Sequence, residues 1–184
     1  MDRAVILRGA GVLALLAAIV WVFLWLNPPA GGESTAVTLD QPAGELPEIG
    51  APAPGFTATT LTGEEIQLSD LEGKPVWLIV NATWCTSCRA EIPDIQQIAS
   101  SELGEEVEIL SVYLGESAPV VADFSERLGL TYTSIPDPAS TISQAYAVPA
   151  IPVHYFIDSE GVLRSIEIGS LGLNQMQEHL TALG

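Results

Sequence analysis

Basic side chains are scarce: 6 Lys and Arg stand against 23 Asp and Glu in 184 residues, a formal net charge of -17. From Glu33 onward the tally is 22 acidic to 4 basic. A surface of that sign repels phosphate backbones, which argues against nucleic-acid binding, and any partner steered by charge would be basic. Cysteine and histidine are rarer still, at two each. Two thiols fall short of the four that iron–sulfur ligation normally takes. His154 and His179, in an expected strand and an expected helix, lack finger-like spacing for completing a zinc site. Internal repeats are absent. With 48% apolar and 16% charged residues, the chain suffices for one domain of ordinary size plus an appendage.

One long apolar run is present. Residues 9–26 form 18 consecutive positions without a charge, enough for a helix that spans the hydrocarbon of a bilayer. Arg3 and Arg8 precede it and acidic residues follow, so residues 1–8 are expected in the cytoplasm and the rest outside. Trp21 and Trp25, one turn apart, suit an interfacial anchor. A cleaved signal peptide is the rival reading; it would have a shorter apolar run and an A-x-A-like site, whereas Asn27-Pro28-Pro29-Ala30-Gly31-Gly32 follows here. Residues 27–48, rich in Pro, Gly, Ala and acid, are expected to be a flexible tether without a fold. That leaves residues 49–184 as a single domain.

Within it, residues 56–61 and 65–68 read as a hairpin around Thr62-Gly63-Glu64. Residues 77–80, Trp-Leu-Ile-Val, read as a strand buried on both faces. Ile92, Ile95, Ile98 and Ala99 give residues 86–101 a helical inner face. A strand at 107–113 and a helix at 120–128 closed by Gly129 follow, then a short helix near 141–146. Strands at 153–157 and 162–168 and a helix at 174–183 end the chain. The expected class is α/β with a mixed sheet flanked by helices.

Both cysteines lie in Trp84-Cys85-Thr86-Ser87-Cys88, between the buried strand and the first turn of a helix. Free N–H groups and the positive end of the helix dipole stabilise a thiolate there, which makes Cys85 the candidate nucleophile. Cys88, three residues on, can attack a mixed disulfide intramolecularly and is the candidate resolving thiol. Covalent haem attachment needs a histidine after the second cysteine, where Arg89 stands. A purely structural disulfide remains the competing reading, although so short a loop removes little unfolded-state entropy.

The Trp84-to-Cys88 motif, Pro93 and a late Ile151-Pro152 before a strand together resemble the thioredoxin fold. The segments Ile49-Gly50-Ala51-Pro52-Ala53-Pro54-Gly55-Phe56 and Leu68-Ser69-Asp70-Leu71-Glu72-Gly73-Lys74-Pro75 resemble the membrane-anchored TlpA/ResA-like redoxin branch. So do Leu114-Gly115-Glu116-Ser117 and Tyr146-Ala147-Val148-Pro149-Ala150-Ile151-Pro152. The resemblance implies a thioredoxin-like domain with an N-terminal β-hairpin, preceded by a membrane helix. It implies that Pro152 is cis and lies against the cysteines, and that Glu91 handles a proton at Cys88. It implies a redox-active cysteine pair with no cofactor and no metal.

Trp84 is read as a hydrophobic shoulder beside Cys85, with core packing as the alternative. Ile79 stands where many thioredoxins bury an acid. Asn81 and Val153 depart from common residues near the expected substrate groove, and His154 is read as a strand residue with a satisfied hydrogen bond. A peroxidatic motif would place Thr and Pro at positions held by Ala82 and Leu78, which argues against peroxide reduction. The resulting expectation is reduction of extracytoplasmic clients, such as apocytochrome c, by electrons from a membrane-embedded thiol carrier. Thiol oxidation or disulfide isomerisation of secreted proteins, and a non-catalytic binding module, are the alternatives.

Overall fold

Alternation along one buried strand organises the whole domain. In the computed structural model, which describes residues 16–18, 20–22, 25, 37–39 and 46–184, strand β4 covers Val76–Asn81 and all six residues are buried. Leu78 and Val80 enter one core and Trp77 and Ile79 the other, because successive side chains leave opposite faces of a strand. β4 lies at the centre of a five-stranded sheet. Beside it on one side runs β5 (Glu108–Leu114), parallel, and then β6 (Thr133–Asp137), also parallel. On the other side runs β7 (Val153–Ile157), antiparallel, followed by β8 (Leu163–Ile168).

Helix α1 (Thr86–Ala99) follows β4 and packs Ile95 and Ile98 against Trp77, Ile79 and Phe156. The short α2 (Glu102–Glu106) leads into β5. Helix α3 (Ala118–Leu128) sets Val121 and Phe124 against Tyr113, and ends at Gly129, whose φ of 64° is the left-handed C-cap that glycine adopts without a Cβ penalty. Helix α5 (Leu173–Thr181) adds Met176 and Leu180 to the same core as α1. On the opposite face lie Phe56 and Ala58 of a three-stranded antiparallel sheet: β1 (Thr38–Leu39), β2 (Phe56–Thr59) and β3 (Glu65–Gln67). The architecture is a thioredoxin-like α/β fold with a mixed sheet.

Two differences from the sequence expectations have physical causes. Residues 27–48 were expected to have no fold, yet Thr38 and Leu39 pair with Thr57 and Phe56, and Val37 and Leu39 pack on the core. An open edge of β2 accepts even a two-residue strand. β6 was missed because Pro136 and Asp137 interrupt its apolar pattern; as the sheet's outer strand it tolerates a proline. The expected membrane helix at residues 9–26 lies largely outside the described residues. Residues 16–18, 20–22 and 25 are helical, and among the described residues no helix is long and apolar enough to cross a membrane.

Asp137 closes β6 and organises the turn after it. Fully buried, its carboxylate accepts from the N–H groups of Thr141 (2.6 Å) and Ser143 (3.0 Å) and from the Ser143 hydroxyl (2.8 Å). It thereby starts α4 (Thr141–Ala145). That helix delivers Tyr146, whose hydroxyl donates to Pro54 O and whose carbonyl accepts from Tyr155. The chain is thus pinned just before the segment that reaches Pro152. Asp137→Ala removes a buried acceptor of several donors and is expected to lower the unfolding free energy by about 2–3 kcal/mol, read from the urea midpoint. A loss under about 0.5 kcal/mol would mean that the N–H groups have other partners.

Candidate active site

The end of β4 and the start of α1 bring both cysteines to one edge of the sheet. Cys85 is the N-cap of α1, with extended backbone, and its sulfur accepts from the Cys88 N–H at 3.2 Å. The two sulfurs are joined as a disulfide, with the Cα atoms 5.3 Å apart. Ser87 Oγ lies 3.3 Å from the Cys85 sulfur, close enough to donate to it. The turn before them is held from β5's end: Glu116, itself buried, accepts from the Thr83 N–H (2.7 Å) and the Thr83 hydroxyl (2.5 Å).

The late proline comes to the same place. The Ile151–Pro152 bond is cis, and the Ile151 carbonyl oxygen lies 4.0 Å from the Cys85 sulfur. Ile151 packs on Ala82 and the cysteine pair. Trp84 is 67% exposed, so it is a projecting apolar shoulder and not core. Cys85, expected to be the reachable thiol, is nearly as covered as Cys88 in the disulfide, at 6% against 5%. Ile151 packs over both sulfurs, and the exposed Trp84 stands beside Cys85 in the sequence.

Glu91 lies one turn inside α1 and is 3% exposed. Its Oε1 accepts from the Leu171 N–H at 2.6 Å and lies 3.1 Å from His154 Nε2. That second contact is off the ring N–H direction, so neither His154 nitrogen has a hydrogen bond, nor does Glu91 Oε2. Glu91 and Cys88 line one small cavity of about 10 Å³ with Ile79, Asn81, Tyr113 and Tyr132. Burial pushes both the Tyr113 and Tyr132 phenols up from their ordinary range, so the phenols there stay neutral near pH 7. The buried acid that Ile79 does not supply therefore comes from the helix.

The structure places the remaining residues as follows. His154 has no satisfied hydrogen bond; it sits fully buried beside Glu91. Asn81 and Val153 lie near the site but are buried; Asn81 lines the cavity shared by Cys88 and Glu91, and its Nδ2 donates to Ser111 Oγ at 2.7 Å. Glu116 was missed as a site residue. Its position just after a buried strand gave a signal in retrospect, since strand ends carry site-building loops in open α/β sheets.

Similarity to known proteins follows the same outline. The AhpC/TSA family profile matches residues 49–166. The chain belongs to that family. It is 34% identical to the thiol-disulfide oxidoreductase ResA of Geobacillus kaustophilus, across 99% of this chain and 97% of that one. Identity to ResA of Bacillus subtilis is 29%, across 73% and 75%. A secreted Mycobacterium tuberculosis disulfide oxidoreductase, described as homologous to Escherichia coli DsbE, superposes with a TM-score of 0.62 at 25% identity, covering 69% of this chain and 95% of that one. The protein is a thiol-disulfide oxidoreductase of the ResA type whose redox group is its own cysteine pair.

If Glu116 anchors the turn that presents Cys85, Glu116→Ala costs about 1–3 kcal/mol of unfolding free energy, and Glu116→Gln, which keeps an acceptor oxygen, costs less. Thermal unfolding of the two variants measures this. Unchanged stability in Glu116→Ala would contradict the anchoring role.

Proposed function

We propose that the protein is a membrane-anchored, extracytoplasmic reductase of disulfides in client proteins, with Cys85 as nucleophile and Cys88 as resolving thiol. The observation that carries the reading is the Cys85 sulfur at the N-cap of α1, facing the Ile151 carbonyl beside Pro152. In the reduced protein the Cys88 N–H and the helix dipole favour negative charge on that sulfur. The thiolate attacks a client disulfide, forms a mixed disulfide through Cys85, and expels one client thiolate, which takes a proton from solvent. Cys88 then loses its proton and attacks the Cys85 sulfur. The Cys85–Cys88 bond forms, the second client sulfur leaves, and two electrons have passed to the client.

Glu91 is the base that this second step needs, since it is buried one turn from Cys88 in the same cavity. Trp84 and the residues around Pro152 flank the way in and offer apolar surface to a client chain. A purely structural role suits the pair poorly. A loop this short limits the unfolded state by only about 2 kcal/mol, against about 4.7 kcal/mol for a loop of a hundred residues.

The uncharged run at residues 9–26, behind Arg3 and Arg8, supports an anchor with residues 1–8 cytoplasmic, residues 27–48 as connection and residues 49–184 outside. The clients in this reading are proteins whose cysteines must be reduced outside the cytoplasm, such as apocytochrome c before haem attachment. The electrons come from a membrane-embedded thiol carrier. An oxidising compartment forms disulfides without help, so a tethered reductase serves chosen clients.

Cys88→Ser in the full chain should accumulate mixed disulfides through Cys85 in membrane fractions, seen as reductant-sensitive high-mass bands that Cys85→Ser abolishes. Equal trapping by both variants would overturn the assignment of roles. Net direction is read from the reduction potential. A value nearer about -270 mV supports reduction, and one nearer about -120 mV would make oxidation or isomerisation of secreted proteins the activity.

A further inference from the structure

His154 is a buried titratable group for which disulfide exchange has so far given no use. It is fully buried on β7, opposite Ile79 of β4 in the register. Its ring stacks with Trp77, centroids 5.9 Å apart, and with Phe156 at 6.4 Å. Neither ring nitrogen has a hydrogen-bond partner, although Nε2 is 3.1 Å from Glu91 Oε1. A buried polar ring without a hydrogen bond is costly, so an apolar ring would be the better core residue unless the imidazole has another use.

The surroundings say what that use is. Glu91 has one donor to Oε1, from Leu171, and none to Oε2. The titratable groups facing this carboxylate are Cys88 on its own helix, His154 from β7, Tyr113 from β5 and Tyr132 from the segment before β6; His154 itself is faced by Glu167, its register partner on β8, which lies 3.5 Å from His179. Both phenols stay neutral near pH 7. Cys88 and His154 are therefore left as the neighbours that exchange protons with Glu91. A positive charge on His154 would be met by the Glu91 carboxylate and by the electron-rich faces of Trp77 and Phe156.

We propose that Glu91 and His154 form one buried proton-holding pair, in which His154 is a positioning residue that stabilises on Glu91 the proton given up by Cys88. The inference rests on the exchange reaction proposed above. In the dithiol, Cys88 carries its proton and the pair consists of a carboxylate and a neutral imidazole. During resolution the proton leaves Cys88 Sγ for Glu91 as the bond between the two cysteine sulfurs forms and the bond from Cys85 to the client sulfur breaks. A small turn of the His154 ring aligns Nε2 with Glu91 Oε1, 3.1 Å away, and the pair then holds the proton between them and has no net charge. When the disulfide is reduced again, the proton returns to Cys88. No group outside the dithiol, the client and the pair takes part, except the solvent that protonates the departing client sulfur.

The test uses the full chain in detergent with its two histidines labelled with nitrogen-15. Ring nitrogen shifts of His154 and His179 are followed against pH in the disulfide and dithiol forms. His179, which contacts Glu167 and Ser165 and stacks on Phe156, is followed alongside, and the free-histidine shifts in the same buffer are the reference. The expected result is a His154 ring more protonated in the disulfide than in the dithiol at the same pH, with the difference lost in Glu91→Gln. Identical His154 signals in the two forms overturn the proposal.

A kinetic arm separates positioning from support. His154→Phe keeps a ring against Trp77 and Phe156, and His154→Gln serves if that variant does not fold. Resolution of a preformed mixed disulfide should slow about tenfold at neutral pH, with its pH profile displaced and the attack by Cys85 unchanged. In a Glu91→Gln background the His154 change should add nothing. Equal slowing with and without the Glu91 carboxylate marks a structural role and overturns the proposal. Silent His154 signals in a protein that still traps clients through Cys85 defeat this inference alone. A responsive ring in a protein that traps no client defeats the proposed function instead.

Discussion

The site depends on one contact, the Cys88 N–H directed at the Cys85 sulfur across the first turn of α1. A helix begins with N–H groups that have no partner in the helix, and an ordinary N-cap satisfies one of them with a side-chain oxygen. Here a sulfur takes that place. The same arrangement that starts the helix therefore solvates a thiolate and brings the second thiol within bonding distance, 5.3 Å between Cα atoms. The rest of the domain fixes where that turn lies. β4 supplies a rigid, wholly buried approach, Glu116 holds Thr83, and Asp137 with Tyr146 aims the return segment so that Ile151 meets the sulfur.

Charge is distributed unevenly around this centre. The surface is strongly acidic, yet beside the cysteines the exposed ionisable group is the basic Arg89, and the acids Glu91 and Glu116 are buried. Glu91 and His154 are almost completely removed from water, where their interaction is screened far less than that of a surface pair. The exposed Arg127–Asp123 pair on α3 is the opposite case and contributes at most a few tenths of a kcal/mol. The buried Glu91–His154 contact is thus set apart from the acidic exterior, while Trp84 stands exposed beside the cysteines.

Elements with a strong local signal were legible in the chain. The apolar run of β4, the Ile92, Ile95 and Ile98 repeat on α1 and the Gly129 cap of α3 each carry their own physical cause, and the cysteine motif stood between strand and helix as expected. What escaped depends on tertiary partners. Thr38 and Leu39 become a strand because β2 offers an unpaired edge, and β6 survives Pro136 because it has a neighbour on one side only. Spacing placed Glu91 near Cys88, but nothing local states that His154, 63 positions later, crosses the sheet to meet it. Polar residues inside a core are read from what they touch, and a lone histidine in a strand gives no advance notice of that. The coverage of Cys85 has the same origin, since Ile151 arrives from the far end of the fold.

The central claim is that the start of α1 makes its two sulfurs chemically unequal. The most direct measurement is the alkylation rate of each cysteine in the reduced full chain across a range of pH, resolved by peptide mass spectrometry. The account predicts that Cys85 reacts faster than Cys88 and reaches half-maximal reactivity at lower pH. Equal rates, or Cys88 reacting first, would contradict it.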